Sequence, residues 1–254
     1  MYKILANTIF LGKDVFFLPE CHSTNDIAMQ CLRQGTLGEG SIVITDFQTQ
    51  GKGQRGNTWE TNPGENLTFS LVLRPKFLEI GAQVFLNMAI ANAIRSCISK
   101  YIPQIQVKWP NDLVVAHCGK LGGILIENIL SGTSWDYAIV GIGINVNQRQ
   151  FGAPQATSMS LLTEKQFALS DLLQELIHHI ESAYLALKNG YMEEITQQYL
   201  DHLYLYKELA RYTVDQQEVE GKIVGLSNSG DLYLELLDGT LKSFGIKEIK
   251  FPNF

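Results

Sequence analysis

Ser41-Ile42-Val43-Ile44-Thr45 leads within two residues into Gln48-Thr49-Gln50-Gly51-Lys52-Gly53-Gln54-Arg55-Gly56-Asn57-Thr58-Trp59, an apolar run followed by glycines, cations and amides. The first part reads as a buried strand, so the second leaves a sheet edge as a loop. Glycines at 51, 53 and 56 permit positive φ and let backbone N–H groups approach a ligand closely. Lys52 and Arg55 add charge that suits phosphate, Arg as a planar fork and Lys as a point charge. The segment matches neither G-x-x-x-x-G-K-[ST] nor a G-x-G-x-x-G that opens a helix, so neither a P-loop nor a dinucleotide fold is supported. Taken alone, it reads equally well as a solvated glycine-rich loop.

The flanking chain supplies a mixed fold. Ser23-Thr24-Asn25-Asp26 precedes Ile27, Ala28, Cys31 and Leu32, with Gly35 beyond, which predicts a helix with a polar N-cap and a glycine stop. Strands are expected at 41–45, 67–73, 105–109, 113–116, 121–127 and 136–141. Apolar positions 85, 86, 89, 90, 93, 94, 97 and 98 predict a long amphipathic helix from Gln83 to Tyr101. A loop rich in Gly, Pro, Ser and Thr spans 148–160. Ser170 is expected to cap a further helix that ends before Gly190, with a neighbour over 191–206. From Leu209 onward, short alternating runs are separated by Asn228-Ser229-Gly230 and Asp238-Gly239, which suits a small antiparallel barrel packed on the main domain. The expected fold is α+β: a catalytic domain over 1–206, built on a mixed β-sheet with flanking helices, and a C-terminal antiparallel β-barrel over 207–254.

Bulk properties remove several function classes. The 254 residues carry a net charge of −6 and are 45% hydrophobic. That balance disfavours non-specific binding to nucleic acid or to a membrane surface. No apolar run approaches the ~18 residues of a membrane span, and Lys3, Asn7, Lys13 and Asp14 break up any secretory segment. Cys21, Cys31, Cys97 and Cys118 lie far apart with no C-x-x-C, as expected of packed, reduced thiols in the cytoplasm. The histidines, including His22, His117, His178 and His179, lack metal-ligand spacing.

Three more segments concentrate chemistry. In Lys108-Trp109-Pro110-Asn111-Asp112, Pro110 stops the ladder and leaves Asn111 and Asp112 in a tight turn. That pair fits either a metal ion or an Asx-type turn. In Lys120-Leu121-Gly122-Gly123-Ile124-Leu125-Ile126-Glu127, Lys120 enters an apolar central strand whose two glycines need a reason, such as close approach of a ligand or of another backbone. A lysine there fits a strand-edge gatekeeper as well as a ligand contact. Gly141-Ile142-Gly143-Ile144-Asn145 leaves one strand face bare, open to a flat ligand or a second backbone, and Asn145 offers both a donor and an acceptor.

Taken in order, S-T-N, Q-x-x-G-[KR]-G-x-x-G-x-x-W, K-W-P-N-D, K-L-x-G-I-L-x-E and G-I-G-I-N resemble the biotin protein ligase family over roughly residues 20–254. The resemblance implies a class II synthetase-like catalytic domain that activates biotin with ATP and Mg²⁺ and biotinylates a lysine of a carboxylase carrier domain. It implies a biotin site of Ser23, Thr24, Asn25, Gln48, Lys52, Gly53, Gln54, Lys120, Gly122, Gly123, Gly141 and Gly143. It implies an ATP site of Lys52, Arg55, Trp59, Lys108, Asn111, Asp112, Lys120 and Asn145. Lys120 and Arg55 are the expected catalytic cations, and Asp112 the expected metal ligand. Gln54 departs from the family pattern, where many members carry Arg, so Arg55 or Lys52 would have to supply the missing charge. The rival within the superfamily is a lipoate ligase or related acyl-carrier transferase. A DNA-binding repressor is disfavoured because about 22 residues precede the S-T-N helix, short of a DNA-reading module. Pairing of edge strands into a homodimer is compatible with the sequence.

Overall fold

Leu67-Thr68-Phe69-Ser70-Leu71-Val72-Leu73 carries no charge and is buried at every position, the signature of a strand covered on both faces. It sits in a seven-stranded mixed sheet. The computed structural model describes residues 7–132, 134–153 and 155–252, with the side chain of Arg55 outside the described set.

The sheet comprises β1 (Val15–Cys21), β2 (Ile42–Gln48), β3 (Leu67–Leu73), β4 (Ile105–Lys108), β5 (Asp112–Val115), β6 (Gly119–Ser131) and β7 (Ser134–Ile144), in the order β1-β2-β3-β7-β6-β5-β4. Among the described strand pairings of this sheet, only β1–β2 is parallel. Helix α1 (Thr24–Arg33) covers one face, with Ala28 packed on Val43, Val72 and Ile139. The other face carries α2 (Gln83–Ile98), which packs on α4 (Leu169–Lys188) and α5 (Met192–Asp201). The short α3 (Met159–Thr163) lies between β7 and α4. The tail forms a second sheet of β8 (Leu209–Val214), β9 (Gln217–Leu226), β10 (Leu232–Leu236), β11 (Leu241–Phe244) and β12 (Ile249–Lys250), antiparallel throughout. Its core residues Tyr212, Ile223, Leu232 and Leu234 join the same apolar cluster as α2 and α4.

Several expectations need correction. β1 was not expected, because Pro19 and Glu20 interrupt an edge strand that is only partly buried. Ser158 caps α3 inside the stretch expected to be loop. Ser170 lies within the first turn of α4, bonded to Asp171, and Ala168 occupies the N-cap with no side-chain bond. The second C-terminal helix closes at Asp201 rather than 206. The described pairings of the tail sheet run from β11 at one edge to β12 at the other, so it is an antiparallel sheet with no recorded closure into a barrel. Among the four thiols, Cys21 and Cys97 are buried but Cys118 is exposed, so not all are packed. No helix among the described residues is long and apolar enough to cross a membrane.

Candidate active site

The N-terminus of α1 forms the polar end of a cavity of about 170 Å³ on the α1 face of the sheet. Ser23 is the N-cap, extended at φ −158°, and its hydroxyl accepts from the Asp26 amide at 3.5 Å. Gly35 closes the helix in the left-handed region at φ +72°. Just inside the cap, the Thr24 amide donates to Gln48 Oε1 at 2.7 Å, and the Thr24 hydroxyl lies 3.1 Å from the same oxygen. Gln48 Oε1 is thereby engaged, which leaves Nε2 as the group free to meet a ligand.

The floor is made of strand positions that lack side chains. Register places Thr68, Ser70, Gly141, Gly143 and Gly123 on the same face. A Cβ at Gly141 would collide with the amide of Asn25, and one at Gly143 with the Trp59 indole. At Gly123 it would crowd Lys120 Nζ (3.2 Å) and Asp112 Oδ1 (3.3 Å). Gly141 and Gly143 therefore each make room for one functional side chain, and Gly123 for two. Gly122 has a different reason: its Cβ would lie 2.8 Å from the Gly143 carbonyl, so β6 and β7 demand glycine there for close backbone approach.

The loop after β2 folds back as a tight hairpin over this floor. Gly53 N–H donates to Asn57 O at 2.7 Å, Trp59 N–H to Gly51 O at 2.9 Å, and Gln54–Gly56 form one 3₁₀ turn. Gly56 takes φ +87°, which favours glycine. Lys52 Nζ reaches Asp26 Oδ1 at 2.5 Å. Asp26 is the main reason its pKa lies above the ordinary lysine value, with Glu127 adding weakly. The Trp59 indole packs on Gly143 with its Nε1 buried and without a partner among the described residues. Lys120 Nζ stands 5.8 Å from that ring's centroid.

The K-W-P-N-D segment forms a connection whose turn is Trp109-Pro110-Asn111; Asp112 already belongs to β5, opposite Lys108, rather than to the turn as expected. Asn111 Nδ2 donates to the Ile124 carbonyl and the Ile124 amide donates to Asn111 O at 3.0 Å, a reciprocal tie that fixes the turn beside β6. Lys120 Nζ pairs with Asp112 Oδ1 at 2.7 Å, both side chains about one-third exposed. Lys108 is half-buried, with Nζ 5.4 Å from the Phe251 ring centroid. Burial lowers its pKa, partly offset by Asp112.

The cavity brings together Ser23, Thr24, Asn25, Gln48, Lys52, Gly53, Gln54, Trp59, Asn111, Asp112, Lys120, Gly123, Gly141 and Gly143 from segments up to 120 residues apart. Lys108, Gly122 and Asn145 do not line it. Asn145 is buried, with Nδ2 donating to Thr157 O at 3.0 Å. The expectation for Arg55 falls on a side chain outside the described residues. Thr68, Ser70 and Glu127 were not singled out from the sequence. Thr68 lines the cavity with a buried hydroxyl that has no partner among the described residues. The matching alternation of small polar residues in β3 with glycines in β7 is the one signal that could have found the first two.

This arrangement offers two ammonium groups, one carboxylate, a loop rich in backbone donors and an amide-lined end. It suits a ligand with a polar head, an apolar middle and an anionic tail. A family model described as the biotin/lipoate A/B protein ligase family matches residues 18–145, just over half of the chain. The bifunctional ligase/repressor BirA of Bacillus spizizenii is 27% identical over 250 residues, covering 93% of this chain and 74% of that protein. The human biotin–protein ligase is 30% identical over 169 residues, which cover 65% of this chain but 23% of the human one. The solved biotin protein ligase of Aquifex aeolicus in complex with biotin and ATP superimposes with a TM-score of 0.78 at 26% identity, over 95% of this chain and 100% of that one. The chain belongs to the biotin/lipoate A/B protein ligase family.

Proposed function

We propose that the chain is an ATP-dependent biotin–protein ligase, with residues 1–206 as its catalytic domain and 207–254 as a C-terminal appendage. One observation carries this reading: the Lys52 and Lys120 ammonium groups and the Thr24–Gln48 amide wall line one cavity, in a fold shared with a ligase solved with biotin and ATP. The human relative and the Aquifex aeolicus structure are named as biotin protein ligases, which favours biotin over lipoate.

In the first step a biotin carboxylate oxygen attacks the α-phosphorus of ATP. The bond to the β,γ-diphosphate breaks, and biotinyl-5′-AMP and pyrophosphate result. The difficulty is electrostatic, since one anion must approach a polyanion. Preorganised cations in a half-closed site reduce that cost. Lys120 exchanges Asp112 for the reacting carboxylate and phosphate, and Lys52 exchanges Asp26 for ligand oxygens as the loop settles. Arg55 is assigned to the phosphates from the sequence. Trp59 walls the nucleotide side, and Lys108 adds charge behind Asp112.

Among the described residues, Asp112 is the one carboxylate on the cavity wall, and no group of three or more His, Cys, Asp or Glu builds a metal cage. That set fits Mg²⁺, which is held by one or two carboxylates together with substrate phosphates. Asp112 and Asn111 would hold it there, where it supplies charge against the phosphate oxygens. In the second step the neutral amine of a carrier lysine attacks the acyl carbonyl, the C–O bond to AMP breaks, and the amine loses a proton, for which Asp112 is the proposed acceptor. The glycine loop shields the mixed anhydride from water in the interval. The partner is the carrier domain of a biotin-dependent carboxylase. The net charge of −6 argues against DNA as a partner, the ATP requirement and free thiols suit the cytoplasm, and the edge strands β1 and β4 offer a surface for a homodimer.

Biotin-dependent exchange of labelled pyrophosphate into ATP tests the first step. Exchange with biotin and none with lipoate is expected; exchange with lipoate alone, or none with either, refutes the reading.

A further inference from the structure

Behind the polar end of the cavity, a chain of buried side chains runs to a carboxylate that has no part in the steps above. Asn25 Nδ2 donates to Glu127 Oε2 at 2.7 Å and lies 3.3 Å from the Leu125 carbonyl. Both partners are acceptors only, so the Asn25 amide is fixed with Oδ1 pointing the other way. Ser70 Oγ meets that oxygen at 2.6 Å and Thr24 Oγ1 at 2.7 Å. Ser70 has one proton, and Oδ1 can only accept. The Ser70 proton therefore goes to Asn25, and the 2.7 Å contact is filled by the Thr24 hydroxyl donating to Ser70. Gln48 Oε1, 3.1 Å away and already bonded to the Thr24 amide, is the weaker acceptor for that proton, so Thr24 gives it to Ser70 and turns lone pairs to the cavity. Gln48, with Oε1 held by the Thr24 amide, turns N–H groups to it.

We infer that Glu127 is a positioning residue that sets the hydrogen-bonding polarity of the Thr24–Gln48 wall, and so selects a ligand ring carrying an N–H beside a C=O, as a cyclic urea does. The inference deepens the ligase reading and rests on it. With Glu127 gone, only the longer contact to the Leu125 carbonyl (3.3 Å) opposes rotation of the Asn25 amide to present N–H to Ser70. The Ser70 proton then turns to Thr24, and the Thr24 proton turns to Gln48 Oε1, its other acceptor at 3.1 Å. Thr24 then accepts from Ser70, and the wall offers the urea N–H one lone pair fewer. The links span 45 to 102 residues of sequence, and Asn25, Ser70 and Thr24 are all nearly inaccessible, so bulk water does not replace a lost partner.

The test is calorimetric binding of biotin, and of biotin methylated at a ureido nitrogen, to wild type, Glu127→Gln, Glu127→Leu, Ser70→Ala and the Glu127→Leu/Ser70→Ala double variant. Glu127→Gln retains an acceptor for Asn25 without the charge and should bind biotin within about threefold of wild type. Glu127→Leu and Ser70→Ala should each weaken biotin by about tenfold or more, the scale for mispairing one buried polar group. The double variant should be no worse than either single one, because both cut one chain. Discrimination against the methylated ligand should shrink in step. Ser70→Ala removes one atom from a buried strand and keeps the test informative should Glu127→Leu fail to fold. Glu127→Leu or Ser70→Ala that loses melting temperature but keeps biotin affinity and discrimination would make the chain a structural tie only and overturn the inference. A Glu127→Gln loss as large as that of Glu127→Leu would assign the effect to charge near Lys52 and also overturn it. Wild type that binds no biotin sinks the ligase reading and the inference together; wild type that binds, with all variants alike, sinks the inference alone.

Discussion

Lys120→Ala should depress adenylate formation by about 10²–10³-fold, the range for removing one preorganised charge-stabilising group. The structure allows that figure to be worked from two opposing contributions. A lysine ammonium about 4 Å from a phosphate oxygen contributes ~4 kcal/mol at an effective dielectric of about 20. Against it stands the Asp112 pair that must be exchanged. With both side chains about one-third exposed, that pair is worth under ~1 kcal/mol. The net of ~3 kcal/mol corresponds to a factor of about 150. Asp112 is also the residue assigned to Mg²⁺, so Lys120→Ala/Asp112→Asn should be slower than Lys120→Ala, by less than the product of the two single losses because the two groups are paired. The assay is single-turnover formation of acyl-adenylate by rapid quench, with saturating biotin and ATP. A Lys120→Ala rate within a few-fold of wild type would refute the role of Lys120, and a double variant as fast as or faster than Lys120→Ala would refute Asp112 as the metal-holding residue.

Four other outcomes are expected. Gly53→Val places its Cβ 3.2 Å from Asn57 Cβ and O, so it should shorten the half-life of bound adenylate several-fold while the melting temperature stays within ~2 °C, as befits a surface change; unchanged retention would mean that the loop is not the shield. Gln54→Arg should slow adenylate dissociation, and an unchanged rate would indicate that Arg55 or Lys52 already supplies the charge. Burial raises the pKa of Glu181, but amide bonds from Leu11 (2.9 Å), Phe10 (2.8 Å) and Ile9 (2.7 Å) outweigh it and hold the pKa below the ordinary 4.5. Its stabilisation is therefore present above that value and lost as pH falls through the lower folded value. Glu181→Gln should lose ~1–3 kcal/mol near neutrality by urea unfolding, with the gap to wild type closing as pH falls below 4.5; a pH-independent gap would contradict this. Burial pushes Cys97 up to about 12 and raises Cys21, so a thiol reagent at pH 8 should modify exposed Cys118 first and leave both buried thiols intact in the native protein.

Local signals were legible where one segment decides its own structure. The Ser23 cap with Gly35, the apolar run of β3 and the glycine spacing of β7 each reflect constraints within a few residues. The glycines also announced close approach, and what lies on Gly141 and Gly143 is Asn25 and Trp59. What escaped the sequence depends on distant partners. β1 is held by parallel pairing to β2 rather than by its own pattern. Ser70 and Glu127 matter only because register aligns β3, β7 and β6 under α1. The Ser170 expectation failed because the helix begins one residue before it, at Leu169, and puts its serine inside the first turn. The bond from Asn145 Nδ2 to the Thr157 carbonyl likewise joins residues 12 apart that no local pattern pairs.

The central claim is that two acids are joined inside this cavity and the product is then handed to a lysine. Incubating the protein with biotin, ATP, Mg²⁺ and an unmodified carboxylase carrier domain, and weighing the carrier intact by mass spectrometry, tests it most directly. The account predicts one added biotinyl group on one lysine, dependent on ATP and lost with Lys120→Ala. A carrier of unchanged mass beside an active reference ligase, or one that gains a lipoyl or octanoyl group instead when those acids are supplied, would contradict it.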